Sequence, residues 1–524
     1  MWELGAAQAG SLKAAVATAG ALLLGFCALR RSRGRAPGRV ADALLAALGA
    51  LAAAAWWNFG SFHHPGFGHA SETYHYLVGA KYFPELGYAE LYRCTAVADA
   101  ESGRRAEVQA RHARDLDANS LVPAAGWLRE PGRCKQRFTP ARWRAFRRDV
   151  AFFRERLPPE RWAATQVDHG YNATPAWGLV GALLARTGPA TPARVLALEL
   201  LDPLLLVAAG AAVARAFGWR TLCVLLLYWG TNYPAHYGWV GGGYLRQLEL
   251  AALLVGIACL RRARFASGGA WLAFASLVRI FPACALAGVG LKALAQALET
   301  RRARLTPALR RVAAGALATA LVLVPLAGVG VGGLGVWREF AARSEVLLAT
   351  PLRNHVGLKT LLAWDPATTA RALADPAQED PYAPWKEARR RTFEARRLPF
   401  AACVGAFALL LALAVRREEE WAAAVLGLGL VPVALELTCY YWAALAAYAL
   451  LWERHPWVGA ALCALSAAGW WIAGRLLFYD EIFPWLSLAT VAFVVFATAA
   501  SLARTSGWGA RLRARCRWRP QAAA

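Results

Sequence analysis

Acidic residues are scarce in this chain. Its 34 Asp and Glu face 59 Lys and Arg across 524 residues, a formal net charge of +25 at pH 7. Such an excess raises nucleic acid as a partner. The arginines, however, gather in short strings between apolar runs, the pattern of cytoplasmic loops in a membrane protein, and nucleic-acid binding is set aside on that ground. No internal repeat is legible, which counts against the paired-repeat build of many transporters. No nucleotide-binding motif is legible either. No cleavable signal peptide is expected: the first apolar run, 12–29, has one lysine at its start (Lys13) and Arg30, Arg31, Arg33 and Arg35 after it, the reverse of a signal peptide's charge order.

What the chain has is apolar length. Hydrophobic residues make up 58% of it, with 23 Trp. They fall in runs of about 17–25, enough for a helix to cross a ~30 Å hydrocarbon core. The expected fold is an all-α polytopic membrane protein. Keeping the basic strings on the cytoplasmic side gives about eleven transmembrane helices, at 12–29, 40–57, 194–217, 222–239, 245–260, 312–332, 398–415, 421–437, 438–452, 457–478 and 485–503. The junction at 437–438 leaves no room for an ordinary turn. The run 268–294 has basic residues on both flanks and Pro282 inside it, so it reads as a re-entrant pair of short half-helices.

The resulting layout has six parts. Two transmembrane helices occupy 1–58. A first extracytoplasmic loop, 59–192, carries surface helices, among them an amphipathic piece at 142–156 and a short apolar one at 174–185. Spans and the re-entrant pair fill 193–332. A second extracytoplasmic loop covers 333–397, further spans 398–503, and a basic cytoplasmic tail 504–524. Of the ten cysteines, only Cys94 and Cys134 fall in the first outer loop. Two thiols alone in an oxidising compartment are expected to form a disulfide, the alternative being two free thiols.

The densest chemistry lies at 58–92, directly after the second span. Glu72 stands there with His63, His64, His69, His75, Tyr76 and Lys81. A carboxylate at a membrane exit, followed by a helix-like stretch at 73–83, is a candidate general base for an acceptor hydroxyl; the plainer reading is a solvated loop acid. The four histidines fit no compact zinc spacing, so hydrogen-bonding or substrate-contact roles are preferred to a metal site. Asp168 and His169, with Tyr171 and Asn172, form a second polar cluster that either faces Glu72 or caps the helix after it. Arg279 lies inside the re-entrant piece, where an arginine is costly and by default functional, and its guanidinium suits phosphate; snorkelling to the surface is the alternative. His236, Tyr237 and Arg246 surround an outer turn with three consecutive glycines at 241–243. Asn354, His355 and Lys359 lie in the second outer loop as candidate phosphate or sugar contacts. Glu199, Asp202, Glu436 and Arg475 fall within spans and are candidates for pairing with one another.

An acid after an early span (Glu72), a short apolar helix before an Arg-led span (174–185 before Arg194), a basic residue near a proline in a broken helix (Arg279 and Pro282) and a polar Asn motif in a later outer loop (Asn354-His355) together resemble the GT-C superfamily of membrane glycosyltransferases. In style the chain is most similar to bacterial polyprenol-phosphate-mannose-dependent mannosyltransferases. The family's acid is commonly Asp where this chain has Glu72, and its basic residue often directly precedes the proline. The resemblance implies a transferase that moves a mannose-like hexose or a pentose, with inversion, from a polyprenyl-phosphate donor to a lipid, glycan or protein acceptor. It implies Glu72 as the catalytic carboxylate, with Asp168 of the second polar cluster the other catalytic candidate, and a site facing away from the cytoplasm, expected in a bacterial inner membrane. Membrane lipid, the lipid-linked donor and an unidentified acceptor are the expected partners. No cofactor is expected, a divalent metal being left open. A transporter or flippase of a lipid-linked saccharide is the rival class.

Overall fold

The computed structural model describes residues 5–63, 66–301 and 305–505. His64 and most of the arginine-rich tail lie outside them. Among the described residues, seven helices are long and apolar enough to cross a membrane by length and composition. They are α1 (Ala6–Ser32), α2 (Arg39–Trp56), the joined pair α5 (Pro192–Glu199) and α6 (Leu201–Phe217), then α11 (Pro307–Val331), α14 (Arg397–Val415), α17 (Pro456–Ala473) and α18 (Tyr479–Thr505). Between them lie α3 (Pro140–Glu155), α4 (Pro175–Ala185), α7 (Trp219–Thr231), α8 (Leu248–Arg261), α9 (Phe265–Val278), α10 (Ala283–Thr300), α12 (Val336–Leu348), α13 (Ala383–Ala395), α15 (Glu420–Gly427) and α16 (Leu430–Ala434). α11 shows how local sequence sets an end. The Thr306 hydroxyl accepts from the Leu309 N–H at 3.3 Å, and Pro307 takes the first helical position, where no N–H is needed. Its outward side chains Leu317, Leu321, Val322 and Val329 are exposed apolar residues, as lipid-facing positions would be.

The arginine strings meet at one end of the bundle. Arg261 after α8 bonds Glu419 at 3.3 Å, Lys292 of α10 bonds Glu420 at 2.7 Å, and Gln296 donates to the Arg416 carbonyl. Arg454 and Arg504 both reach Glu418 at 3.1 Å, and Arg31 lies over the Trp452 ring. One turn, 416–420, therefore receives groups from both sides of the run 268–294. Its two flanks share an end, as their common charge led one to expect. The halves are longer than half-helices. α9 has 14 residues and α10 has 18, about 21 and 27 Å at ~1.5 Å per residue. Arg279, in extended backbone at φ −144°, and Pro282, directly before α10, form the tip of this hairpin.

Four expected spans depart from the sequence reading. α7 and α8 have 13 and 14 residues, and 421–437 is split into α15 and α16 with 8 and 5. The stretch 438–452 is a 3-10 helix, Cys439–Leu451. Thirteen α-helical residues reach only about 20 Å. The shortfall has a physical cause: the outer ends of these segments unwind at 232–247 and 435–438, and their remaining turns are largely buried, as at Leu250–Leu254 and Ala444–Trp452. Irregular backbone at that depth is tolerated when protein surrounds it. The 3-10 segment's rise of ~2.0 Å stretches 13 residues to about 26 Å. The tight junction at 437–438 is the strand β4 (Leu437–Thr438), paired antiparallel with β3 (His355–Val356) of the second outer loop.

At the other end, 70–198 folds around its own aromatic core, with Tyr74, Tyr82, Tyr92, Phe146, Phe153 and Trp162 all buried. It holds a small hairpin of β1 (His112–Asp115) and β2 (Ser120–Pro123), and Cys94 and Cys134 are joined in a disulfide with Cα atoms 5.4 Å apart. α4 does not lie free along a surface. Trp177, Gly178 and Gly181 are buried, and Arg194 Nη2 donates to the Leu184 and Ala185 carbonyls at its C-terminus, at 2.8 and 2.9 Å.

Candidate active site

Glu72 and Tyr76 lie on one continuous helical stretch. Ala70–Thr73 is α-helical, Tyr74–Val78 is a π-turn and Gly79–Lys81 resumes the α-form. The His69 Nδ1 accepts from the Glu72 N–H at 3.3 Å and starts the helix. A π-turn re-aims side chains, and such turns recur at functional sites. Here it turns Tyr76 toward the bundle. A Cβ at Gly79 would stand 2.6 Å from the Tyr171 ring, so this helix packs that closely only with glycine.

Three glycines wrap the outer turn around this helix. The His69 N–H donates to the Gly242 carbonyl at 2.9 Å, His63 Nε2 lies 2.9 Å from the Gly241 carbonyl, and the Tyr237 hydroxyl donates to the Phe67 carbonyl. Gly242 has φ +70°, and a Cβ there would stand 2.2 Å from the Phe67 carbonyl oxygen. The turn leads into Arg246, whose backbone N–H and that of Gln247 donate to the two carboxylate oxygens of buried Asp202, at 3.0 and 3.1 Å. The start of α8 is thereby fixed from a neighbouring helix.

The outcome is a convergence. Arg246 Nη1 is 2.8 Å from Glu72 Oε1 and 3.4 Å from the Tyr76 hydroxyl. Arg279 Nη2 donates to that same hydroxyl at 3.0 Å, and the hydroxyl donates to Asn172 Oδ1 at 2.7 Å. The Arg246 guanidinium lies 4.4 Å from the Tyr440 ring centroid, and that of Arg279 lies 5.1 Å from Tyr76 and 5.7 Å from Tyr441. Both arginines are more than nine-tenths buried, and Arg279 Nε has no hydrogen-bond partner. Glu72 Oε1 likewise lacks a directed donor despite its ion pair. Beside them lies a narrow cleft with an enclosed volume of only about 10 Å³. Arg246, Glu249 and Tyr441 line its polar side; Leu250, Leu253 and Phe281 line its apolar side.

Five of the residues singled out in the sequence thus meet: Glu72, Tyr76, Asn172, Arg246 and Arg279. The others lie elsewhere. His75 Nε2 is 3.1 Å from the Thr165 carbonyl and 2.8 Å from the Tyr92 hydroxyl, inside the loop core. Lys81 is buried against Asp149 at 2.6 Å. Tyr171 joins the aromatic packing with Tyr88 and Phe83. His236 lies 2.7 Å from the Tyr233 carbonyl and packs against Trp470. Asp168 accepts from the His169 N–H at 2.8 Å, while Thr174 caps α4, so Asp168 is neither that cap nor a bonded partner of Glu72. Burial presses the Asp168 carboxyl upward, but His75, His169 and Arg114 hold it below the usual carboxylate range. Burial pushes His63, His69 and His169 each down to about 4.

Asn354, His355 and Lys359 belong to a second cluster. Glu436 is 2.6 Å from Arg389, 3.0 Å from Lys359 and 3.7 Å from His355. The Asn354 carbonyl accepts from the Cys439 N–H at 2.9 Å, one residue before Tyr440. The four charges expected to pair with one another do not. Glu199 accepts from the Thr73 hydroxyl at 2.9 Å, Asp202 binds backbone, Glu436 binds loop cations, and Arg475 reaches the Trp471 carbonyl. Among the described residues, Glu90, Cys94 and Cys134 bring three ligand-type atoms together, and both sulfurs are spent in the disulfide. Tyr440, Tyr441 and Glu249 were missed from sequence. Their signal was present: a tyrosine pair at the impossible junction, and an acid inside an apolar run.

Comparison with protein-family models, with curated proteins and with solved structures finds no match to this chain. The functional reading therefore rests on the site.

Proposed function

We propose that the protein is an integral membrane glycosyltransferase that uses a polyprenyl-phosphate sugar and works on the extracytoplasmic side. The observation that carries the reading is the meeting of two buried guanidinium groups, Arg246 and Arg279, on the Tyr76 hydroxyl, beside Glu72 and at a cleft with one polar and one apolar wall. A phosphate esterified to an isoprenoid matches that division: its head pairs with guanidinium and its chain with Leu250, Leu253 and Phe281. In the reaction, the acceptor oxygen bonds to the anomeric carbon as that carbon's bond to the phosphate oxygen breaks, which inverts the centre. The acceptor proton passes to Glu72. The negative charge growing on the departing phosphate falls beside Arg279 and Arg246, and fixed charges of this kind stabilise a transition state without reorganising. The arginines' cation–π contacts with the tyrosine faces help hold them in place.

The test is transfer from a short-chain polyprenyl-phosphate mannose by the purified protein, with Glu72→Gln, Asp168→Asn and Arg279→Lys alongside. Glu72→Gln should bind the donor and turn over about 10²–10⁴-fold more slowly, the usual worth of a positioned base. Arg279→Lys keeps the charge, loses the two-pronged geometry and should weaken donor use while leaving some activity. Normal turnover in Glu72→Gln with a dead Asp168→Asn would move the base to Asp168. Normal turnover in both, with lipid-linked sugar crossing vesicles, would replace transfer by transport.

A further inference from the structure

A pair of buried arginines lies outside the cleft, bonded to the turn of the β1–β2 hairpin. Arg114 of β1 and Arg343 of α12 come from opposite outer loops, and each is 7% exposed. Arg114 Nη1 donates to the Asn119 carbonyl at 3.1 Å and its Nε to the Val167 carbonyl at 2.9 Å. Arg343 Nη1 donates to the Leu116 carbonyl. Both guanidinium groups are therefore anchored on one turn, by carbonyls three residues apart. Neither forms an ion pair among the described residues. Arg343 Nε and Nη2 are buried and have no hydrogen-bond partner.

Two buried cations held only by carbonyls are expensive. Removing a charge from water is costly unless an opposite charge replaces the lost hydration. Nearby acids offset part of this charge without bonding it: Asp380 and Asp168 act on Arg114, and Asp115 and Asp117 on Arg343, while Asp115 and Asp380 are also paired with Arg93 at 3.2 Å and Lys386 at 2.5 Å. Asp117 points to solvent. Burial and the like charge of Arg114 weigh on Arg343, against smaller offsets from Tyr92, Asp117 and Asp115. The arrangement also ties the loops together, since Asn119 Nδ2 donates to the Thr350 hydroxyl at 2.8 Å while its Oδ1 lies 3.1 Å from His169 Nδ1. An anion here would bridge the same two loops.

We propose that Arg114 and Arg343 form a binding site for an oxyanion, a carboxylate or a phosphate, carried by the acceptor. That the anion belongs to an acceptor rests on the transferase reading; that the site binds an oxyanion does not. Asn119 Oδ1 links the site to His169 Nδ1 at 3.1 Å, and the His169 N–H is bonded to Asp168.

The experiment is hydrogen exchange on the full chain in detergent, with sodium phosphate, sodium glucuronate, or sodium chloride of equal ionic strength; glucose is the uncharged control. Amides of 112–119 and of 340–346 should exchange about tenfold more slowly in the oxyanion they recognise, the effect of ligand at about ten times its dissociation constant. Protection by phosphate alone identifies a phosphorylated acceptor, and protection by glucuronate an acidic sugar. Arg279→Gln, which removes the donor contact, should retain this protection, and Arg114→Gln should lose it. Wild-type protein showing no slowing in either anion would overturn the site without needing a variant. So would an Arg114→Gln protein that keeps the slowing, or an Arg279→Gln protein that loses it, because the effect would then spread from the cleft.

Discussion

Lys81 separates a functional from a structural reading of the densest loop, and the separation can be measured. Its ammonium donates to Asp149 Oδ2 and to the Gly188 carbonyl, each at 2.6 Å. Asp149 also accepts from the Tyr82 hydroxyl at 2.8 Å and from the Ala190 N–H at 2.9 Å. The two side chains are 7% and 0% exposed. Asp149→Ala strands a buried ammonium, at about 3–5 kcal/mol. It also leaves two neutral donors without their acceptor, at about 1 kcal/mol each. The sum is about 5–7 kcal/mol of local stability, or more than a thousandfold faster hydrogen exchange, at about tenfold per 1.4 kcal/mol. Amides of α3, which carries Asp149, report it. Lys81→Met leaves Asp149 with two of its donors and should cost less. Lys81→Met with Asp149→Leu should be less damaging than Asp149→Ala alone, because an apolar pair strands no charge. The reasoning fails if Lys81→Met leaves exchange in α3 unchanged and abolishes sugar transfer. Lys81 would then touch substrate.

The disulfide closes a separation of 40 residues, which the chain-entropy account values at about 4 kcal/mol; non-reducing mass spectrometry should find Cys94 and Cys134 linked, and two free thiols in protein from its native compartment would remove the bridge. His63, His69 and His169 are each pushed down to about 4 in the folded chain, against about 6.5 unfolded. The unfolded chain therefore binds more protons between those values, so stability is complete above about pH 6.5 and is lost as pH falls toward 4. The thermal unfolding midpoint in detergent should fall over that window, and a flat profile would mean that these rings are hydrated. Since 261 and 296 meet the same turn, Thr300→Cys should resist an impermeant thiol reagent applied from outside; efficient labelling there would turn 268–294 into a single crossing.

Much of the helical organisation was legible because it follows from apolar length and arginine placement alone. Both signals need no partner: a run of about 20 apolar residues spans a bilayer whatever surrounds it. They located α1, α2, α11, α14, α17 and α18, and the shared end of the α9–α10 hairpin. They did not give the lengths of α7, α8, α15 or the 3-10 segment. Those segments face protein rather than lipid, and hydropathy cannot distinguish an apolar residue buried against a helix from one buried against an acyl chain. The unwound backbone at 232–247 carries the same message, since its cost is met by neighbours such as Asp202 and Phe67 that lie far away in sequence.

The candidate site was legible where one residue type was costly in its setting. Arg279 in an apolar run and Glu72 at a membrane exit stood out for that reason, and both lie at the convergence. Lys81 and His75 were as conspicuous by composition, and they serve the loop core instead. The distinction lies in what faces them. Lys81 gives two of its three donors to a carboxylate and a carbonyl at 2.6 Å, and the carboxylate neutralises its charge. Arg279 has one hydroxyl, an aromatic face and an unpartnered Nε, a buried charge that its own fold does not neutralise. Conspicuous residues become site residues when folding leaves their chemistry unspent. By that measure Arg279 and Arg343 are the groups proposed to bind ligands, although only the first lay where sequence could draw attention to it.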